Sequence, residues 1–221
     1  MKVVAFAASK GGVGKTTLAT AMAVAASLDA DPRATAVMEL DPQGSLTAWW
    51  NWRGAGDDPA FVAAQRLPLP DVIAALRVVG YELLILDCPP GFARVLRAAV
   101  AAADLVVIAT GPGELDLAAI GTTVAIVDEQ RVPYVLVLNK ALFRTRLAGR
   151  AVARLREMGG LLAPVIHHRV QVAEATGEGR CVLELAPASA AAREVTALWE
   201  LLRGELWGSP RPRRRNVDVA P

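Results

Sequence analysis

Two lysines five residues apart, Lys10 and Lys15, bracket three glycines in the run Ser9-Lys10-Gly11-Gly12-Val13-Gly14-Lys15-Thr16-Thr17. A short apolar stretch (3–8) precedes it and a long alanine-rich one follows, the form of a strand, a glycine loop and a helix. Glycines let successive backbone N–H groups turn inward and make a nest for phosphate oxygens. A helix opening at Thr16 adds its positive dipole end to the same place. Gly11, Gly12, Val13 and Gly14 would form the nest and Thr17 would close it. Lys15 would reach the β- and γ-phosphates, and the Thr16 hydroxyl would sit on Mg²⁺. The common pattern G-x-x-x-x-G-K-[ST] is not quite met: Ser9 stands where its first glycine belongs, and Lys10 is a second cation.

Two acids complete the set. Asp41 follows the apolar run 35–40 and Asp87 the apolar run 81–86. A carboxylate at the C-terminal end of a strand faces the crevice where open α/β sheets bind ligands. Phosphoryl transfer needs a phosphate cradle, a metal held by a hydroxyl and a nearby acid, and a group that positions the attacking water. Thr16 and Asp87, directly or through water, suit the metal, and Asp41 suits the water. Lys15 and Asp41 are therefore candidate catalytic residues.

The elements that must position these groups alternate along the chain. Strands are expected at 2–8, 35–40, 81–87, 104–110, 133–138 and, last and short, 161–166. Helices are expected at 16–28, 46–53, 71–79 with Asp71 as N-cap, 92–103, 115–129, 145–158 and 188–207. Residues 61–70 and 169–179 have no regular pattern. Such alternation implies an α/β fold: a doubly wound, mostly parallel sheet with helices on both faces. Hydrophobic residues make up 53% of the 221, which fits strands buried on both faces. One domain is expected over 1–207, followed by a Pro/Arg-rich disordered tail, 208–221.

Composition excludes several classes. No apolar run reaches the 18 or so residues that span a bilayer, and the N-terminal run is too short for a signal peptide. Cys88 and Cys181 form neither a disulfide framework nor a C-x-x-C, so the cytoplasm is expected. A net charge of +2 does not by itself announce nucleic-acid binding, which would need a local patch. His167 and His168 read as loop residues rather than metal ligands, and Trp49, Trp50 and Trp52 as core or interface.

On these residues the chain resembles the ParA/MinD group of ATPases, which carry a deviant Walker A motif. Ser9–Thr17 matches that motif, including its signature lysine at Lys10. Asp41-Pro42-Gln43-Gly44-Ser45 resembles the second motif and Leu86-Asp87-Cys88-Pro89-Pro90 the third, while Pro112 with Asp116 fits the loop beyond the next strand. Asn139 resembles the residue that reads adenine. The resemblance implies ATP and Mg²⁺ as cofactors and a homodimer in the ATP state. In it Lys10 would reach the phosphates of the other subunit and so join Lys15 and Asp41 as a catalytic residue, and Arg169 would lie near the nucleotide. It further implies non-specific DNA binding, a nucleoid location, and a ParB-like or other cargo adaptor that stimulates hydrolysis. With no extension before its first strand, the chain looks like the small type used in plasmid partition. DNA contacts would fall to Arg193, Arg203, Arg211, Arg213, Arg214 and Arg215. The MinD-like alternative would use 198–207 as an amphipathic membrane helix, disfavoured because the fold's last helix should pack there and because Glu200 and Glu205 would be repelled by anionic lipid. A metabolic ligase on the same fold is a further alternative, and it would need a substrate pocket that the residues do not mark. Iron–sulfur carriers would need interface cysteines, and the related tyrosine kinases a tyrosine-rich tail.

Overall fold

A computed structural model of the chain describes residues 1–29, 33–54, 58–63, 67–91 and 93–208. In chain order the strands are β1 (Lys2–Ala7), β2 (Thr35–Glu39), β3 (Ala60–Val62), β4 (Leu83–Asp87), β5 (Leu105–Thr110), β6 (Tyr134–Leu138) and β7 (Leu161–Leu162). The helices are α1 (Lys15–Ser27), α2 (Ser45–Arg53), α3 (Leu69–Val79), α4 (Ala93–Ala102), α5 (Glu114–Gln130), α6 (Arg146–Glu157), α7 (Val170–Gly177), α8 (Val182–Leu185) and α9 (Ala190–Trp207). All seven strands are parallel, in the order β3-β2-β4-β1-β5-β6-β7.

Successive strand residues face opposite sides, and both sides are apolar here. Val4, Phe6, Val37, Ile85 and Val107 face one core with α1 and α9. Val3, Ala5, Met38, Leu86 and Ile108 face the other, with α3, α4, α5 and α6. This is why the strands read as continuous apolar runs. In α1 every residue from Leu18 to Ala26 is buried, because the sheet covers one side and Leu198, Trp199 and Leu202 of α9 the other. A helix that is apolar all round belongs in such a place.

Several expectations are corrected. The irregular segment 61–70 holds the edge strand β3, which pairs with β2 through Val37 and Phe61. α3 begins at Leu69 with Pro70 in its first turn, so Asp71 lies inside that turn rather than at the cap; there it still favours the helix dipole. The last strand shrinks to two residues, since Pro164 cannot donate to a ladder; Ala163 and Ile166 still donate to Leu136 and Leu138. The stretch 169–179 contains α7, and α8 is an added short helix whose Glu184 accepts from the Cys181 N–H. Phe92 and the arginines 211–215 lie outside the described residues.

Candidate functional site

β1 is central, with β4 on one side and β5 on the other, so its C-terminal end opens at the crevice between them. There the chain turns through the glycine loop into α1. Gly14 is the N-cap of α1 with φ 88°, a left-handed conformation that glycine adopts without strain. A Cβ at that position would come within 2.4 Å of the Asn139 amide nitrogen. Conformation and space thus both demand glycine there.

The register carries the chemistry with it. Asp87 ends β4 opposite Phe6 of β1 and Glu39 of β2. Its carboxylate is fully buried and holds two groups of the loop. Lys15 Nζ donates to Oδ1 at 2.9 Å, and Thr16 Oγ1 donates to Oδ2 at 2.6 Å. Burial pushes the Asp87 carboxyl above its ordinary range, while Lys15 and the Thr16 hydroxyl pull it back. Asp41 Oδ2 lies 3.7 Å from the same Lys15 Nζ, and its Oδ1 accepts from the Gln43 N–H. Lys15, Thr16, Asp41 and Asp87, separated by up to 72 residues, therefore meet at one point. The loop and Asp41 border a cavity of about 560 Å³.

Glu39, a buried acid not singled out from sequence, explains how the Asp41 segment is held. Its carboxylate accepts from the N–H groups of Leu46 and Thr47 at 2.8 and 3.0 Å and from the Thr47 hydroxyl. It therefore caps the N-terminus of α2 from the strand before it, where a negative charge is favoured. Its only sequence signal was an acid inside an apolar strand. Ser9, the irregular residue of the loop, bonds through its hydroxyl to Thr123 of α5 at 2.6 Å. That pins the start of the loop to the helix on the far side of the crevice.

Asn139 sits below the loop rather than free beside it. Its Nδ2 donates to Val13 O at 2.8 Å, and its Oδ1 accepts from the Lys140 N–H. Lys140 Nζ in turn donates to Gly12 O at 2.6 Å. The pair at the end of β6 props the phosphate cradle and also borders a second cavity of about 390 Å³. Lys10 Nζ faces Asp116 Oδ1 of its own chain at 3.4 Å, both partly exposed.

Arg169 donates to Glu194 of α9 at 2.6 Å, and His167 bonds the same carboxylate through its backbone and ring. Burial works against charge on Glu194, yet these three donors hold its carboxyl below the ordinary range. Cys88 is buried against Asp87, and burial pushes its thiol up to about 12, which makes it inert. Arg203 donates to both oxygens of Asp29 at 3.0 Å, and Trp199 Nε1 reaches the same carboxylate. Arg193 is capped onto Ala188 O. Among the described residues no cluster of three or more acids, histidines or cysteines could cage a metal. One hydroxyl and one carboxylate, both hard oxygen donors, are instead what Mg²⁺ takes when phosphates and water supply the rest.

Residues 4–182 match the sequence profile of the CobQ/CobB/MinD/ParA nucleotide binding domain. The chain is 45% identical over 125 residues to the maintenance of carboxysome distribution protein A of Gloeobacter kilaueensis. That match spans 56% of this chain and 55% of the relative. It is 30% identical over 236 aligned positions to the chromosome-partitioning ATPase Soj of Thermus thermophilus, covering 89% and 93% of the two chains. Among solved structures, the septum site-determining protein MinD of Pyrococcus horikoshii, complexed with Mg-ADP, superposes with a TM-score of 0.74. It shares 18% identity and covers 91% of this chain and 95% of that one. Taken with the glycine loop and the two strand-end acids, these matches establish that the chain belongs to the ParA/MinD family of nucleotide-binding ATPases.

Proposed function

We propose that this chain is a ParA-type ATPase. It binds ATP with Mg²⁺ at the glycine loop, closes as a sandwich dimer, grips DNA without sequence preference, and is reset by partner-stimulated hydrolysis. The observation that carries the reading is the meeting of Lys15, Thr16 and Asp41 on or beside the Asp87 carboxylate. Phosphates entering the nest would draw Lys15 off Asp87. Thr16 and Asp87 would then hold Mg²⁺, which when bound neutralises charge developing on the β- and γ-oxygens. Asp41 accepts a proton from the attacking water and orients it. Gly11, Gly12, Val13, Gly14 and Thr17 bind phosphate, and Asn139 props that cradle while keeping one amide N–H and one lone pair for adenine. The MinD relative with this fold is described with Mg-ADP, which agrees with the assignment.

Lys10 supports the dimer. It pairs with Asp116 at the rim of the cavity instead of lying on its own Asp87. In a dimer it would leave that acid for the phosphates bound by the second subunit. The charge a single loop leaves uncompensated would be neutralised only by association.

DNA is favoured over a membrane surface by the last helix. The apolar side of α9 (Leu198, Trp199, Leu202, Leu206) is buried against α1 and the sheet and has no face left for lipid. No described helix is long and apolar enough to cross a membrane. Arg203 is committed to Asp29, so Arg193 and the 211–215 run carry more of the proposed DNA contact. α6 adds exposed Arg146, Arg150, Arg154 and Arg156; Arg154 pairs with Glu157. A DNA mobility shift against vesicle co-sedimentation, each with ATP and with ADP, tests the choice. ATP-dependent retention on DNA supports it, and binding to vesicles alone refutes it. The cargo, a plasmid, a chromosome or a protein body, would be named by the adaptor.

A further inference from the structure

We infer that Trp52 is the stacking wall for the nucleotide base, an inference that rests on the ATP reading above. The three tryptophans of α2 have separate surroundings. Trp49 is 1% exposed with Arg53 over its ring, and Trp50 stacks on Phe61 at 5.9 Å. Trp52 is 58% exposed, and no ring or cation contact among the described residues accounts for it. It borders both the phosphate cavity and the second cavity, which share Thr17, Trp52, Lys140 and Thr176. A nucleotide with its phosphates in the glycine loop extends past Thr17, and the second cavity is the volume it meets.

The polar side chains around that volume are mostly committed to protein. Asn139 holds Val13 O and the Lys140 N–H, and Lys140 Nζ holds Gly12 O. His167 and Arg169 hold Glu194, and the Thr176 hydroxyl donates to Val172 O. No acid lines the cavity among the described residues, so no carboxylate stands ready for the N1–H and amino group of guanine. The exposed rings on that wall are Trp52 and His168, and the indole is the larger flat face. Stacking on an aromatic side chain accepts any base, because every base has a π-face. The base is therefore held chiefly by its face, and its edge is left to the Asn139 amide N–H and lone pair that the loop does not use.

Titration calorimetry of the full chain with ATP, GTP and inorganic tripolyphosphate separates the contributions. Trp52→Ala should weaken ATP and GTP alike by about tenfold or more and leave tripolyphosphate unchanged. Trp52→Phe should recover most of the loss. Unchanged ATP affinity in Trp52→Ala, or an equal loss for tripolyphosphate, would overturn the inference while leaving the nucleotide site standing. Wild-type chain that binds neither ATP nor tripolyphosphate would overturn both.

Discussion

Lys15 Nζ lies 2.9 Å from Asp87 Oδ1, and that carboxylate has no exposed surface. The lysine expected to bind phosphate is thus already paired with the acid expected to hold the metal. Removing one partner of a buried pair costs up to about 3 kcal/mol, lessened here because Asp41 Oδ2 still lies 3.7 Å from Lys15 Nζ. Asp87→Asn should therefore lower the thermal midpoint of the nucleotide-free chain, and saturating tripolyphosphate should restore part of the loss by giving Lys15 a new partner. An unchanged midpoint in Asp87→Asn would show that the pair does not stabilise the fold.

Asn139 acts on phosphate through the loop it supports. Asn139→Ala removes the bond to Val13 O and should weaken tripolyphosphate roughly fivefold to tenfold, for one buried hydrogen bond, and ATP by at least as much. A loss confined to ATP would make Asn139 a reader of the base alone.

Arg203 and the α6 arginines should separate stability from DNA binding. Arg203→Ala leaves the nearly buried Asp29 with one partner fewer and should lower the unfolding midpoint without altering the salt dependence of DNA binding. Arg146→Ala with Arg150→Ala should leave the midpoint alone and reduce the slope of log K against log salt by about two. The reverse pattern would return Arg203 to the DNA surface.

Glu194 predicts an acid-side loss of stability. Its folded carboxyl titrates below the ordinary 4.5, so its contribution is fully present above that value. The contribution disappears as pH falls through the folded pKa. The gap in urea midpoint between wild type and Glu194→Gln should be widest at neutral pH and narrow below about pH 4. A gap that is constant with pH would mean that Arg169 and His167 do not hold the charged form.

Much of this was legible in the residues. The glycine loop, the strand-end acids and the alternation of strands and helices are local patterns, and each sits where spacing puts it. Edge strand β3 was not legible, because three residues paired only to β2 leave no periodicity to read. α7 and α8 were hidden for a related reason: eight and four residues are too short for a helical apolar pattern. Side-chain assignments that depend on tertiary neighbours were also invisible. Ser9 bonding Thr123 and Arg203 bonding Asp29 join segments that only the fold brings together. Gly179 is the clearest instance. A Cβ there would lie 2.1 Å from the backbone nitrogen of Arg53, 126 residues away in the Arg53–Gly179 contact, and nothing in its own sequence context announces it.

In the proposed cycle ATP binds and a second copy completes the site. Light scattering of the Asp41→Ala chain with Mg-ATP tests it most directly, because that variant should bind ATP and not turn it over. Twice the mass of the chain is expected with ATP, the monomer with ADP, and the monomer with both nucleotides when Lys10→Ala is added. A monomer in Mg-ATP at concentrations where calorimetry shows the site filled would contradict it. So would a dimer indifferent to Lys10.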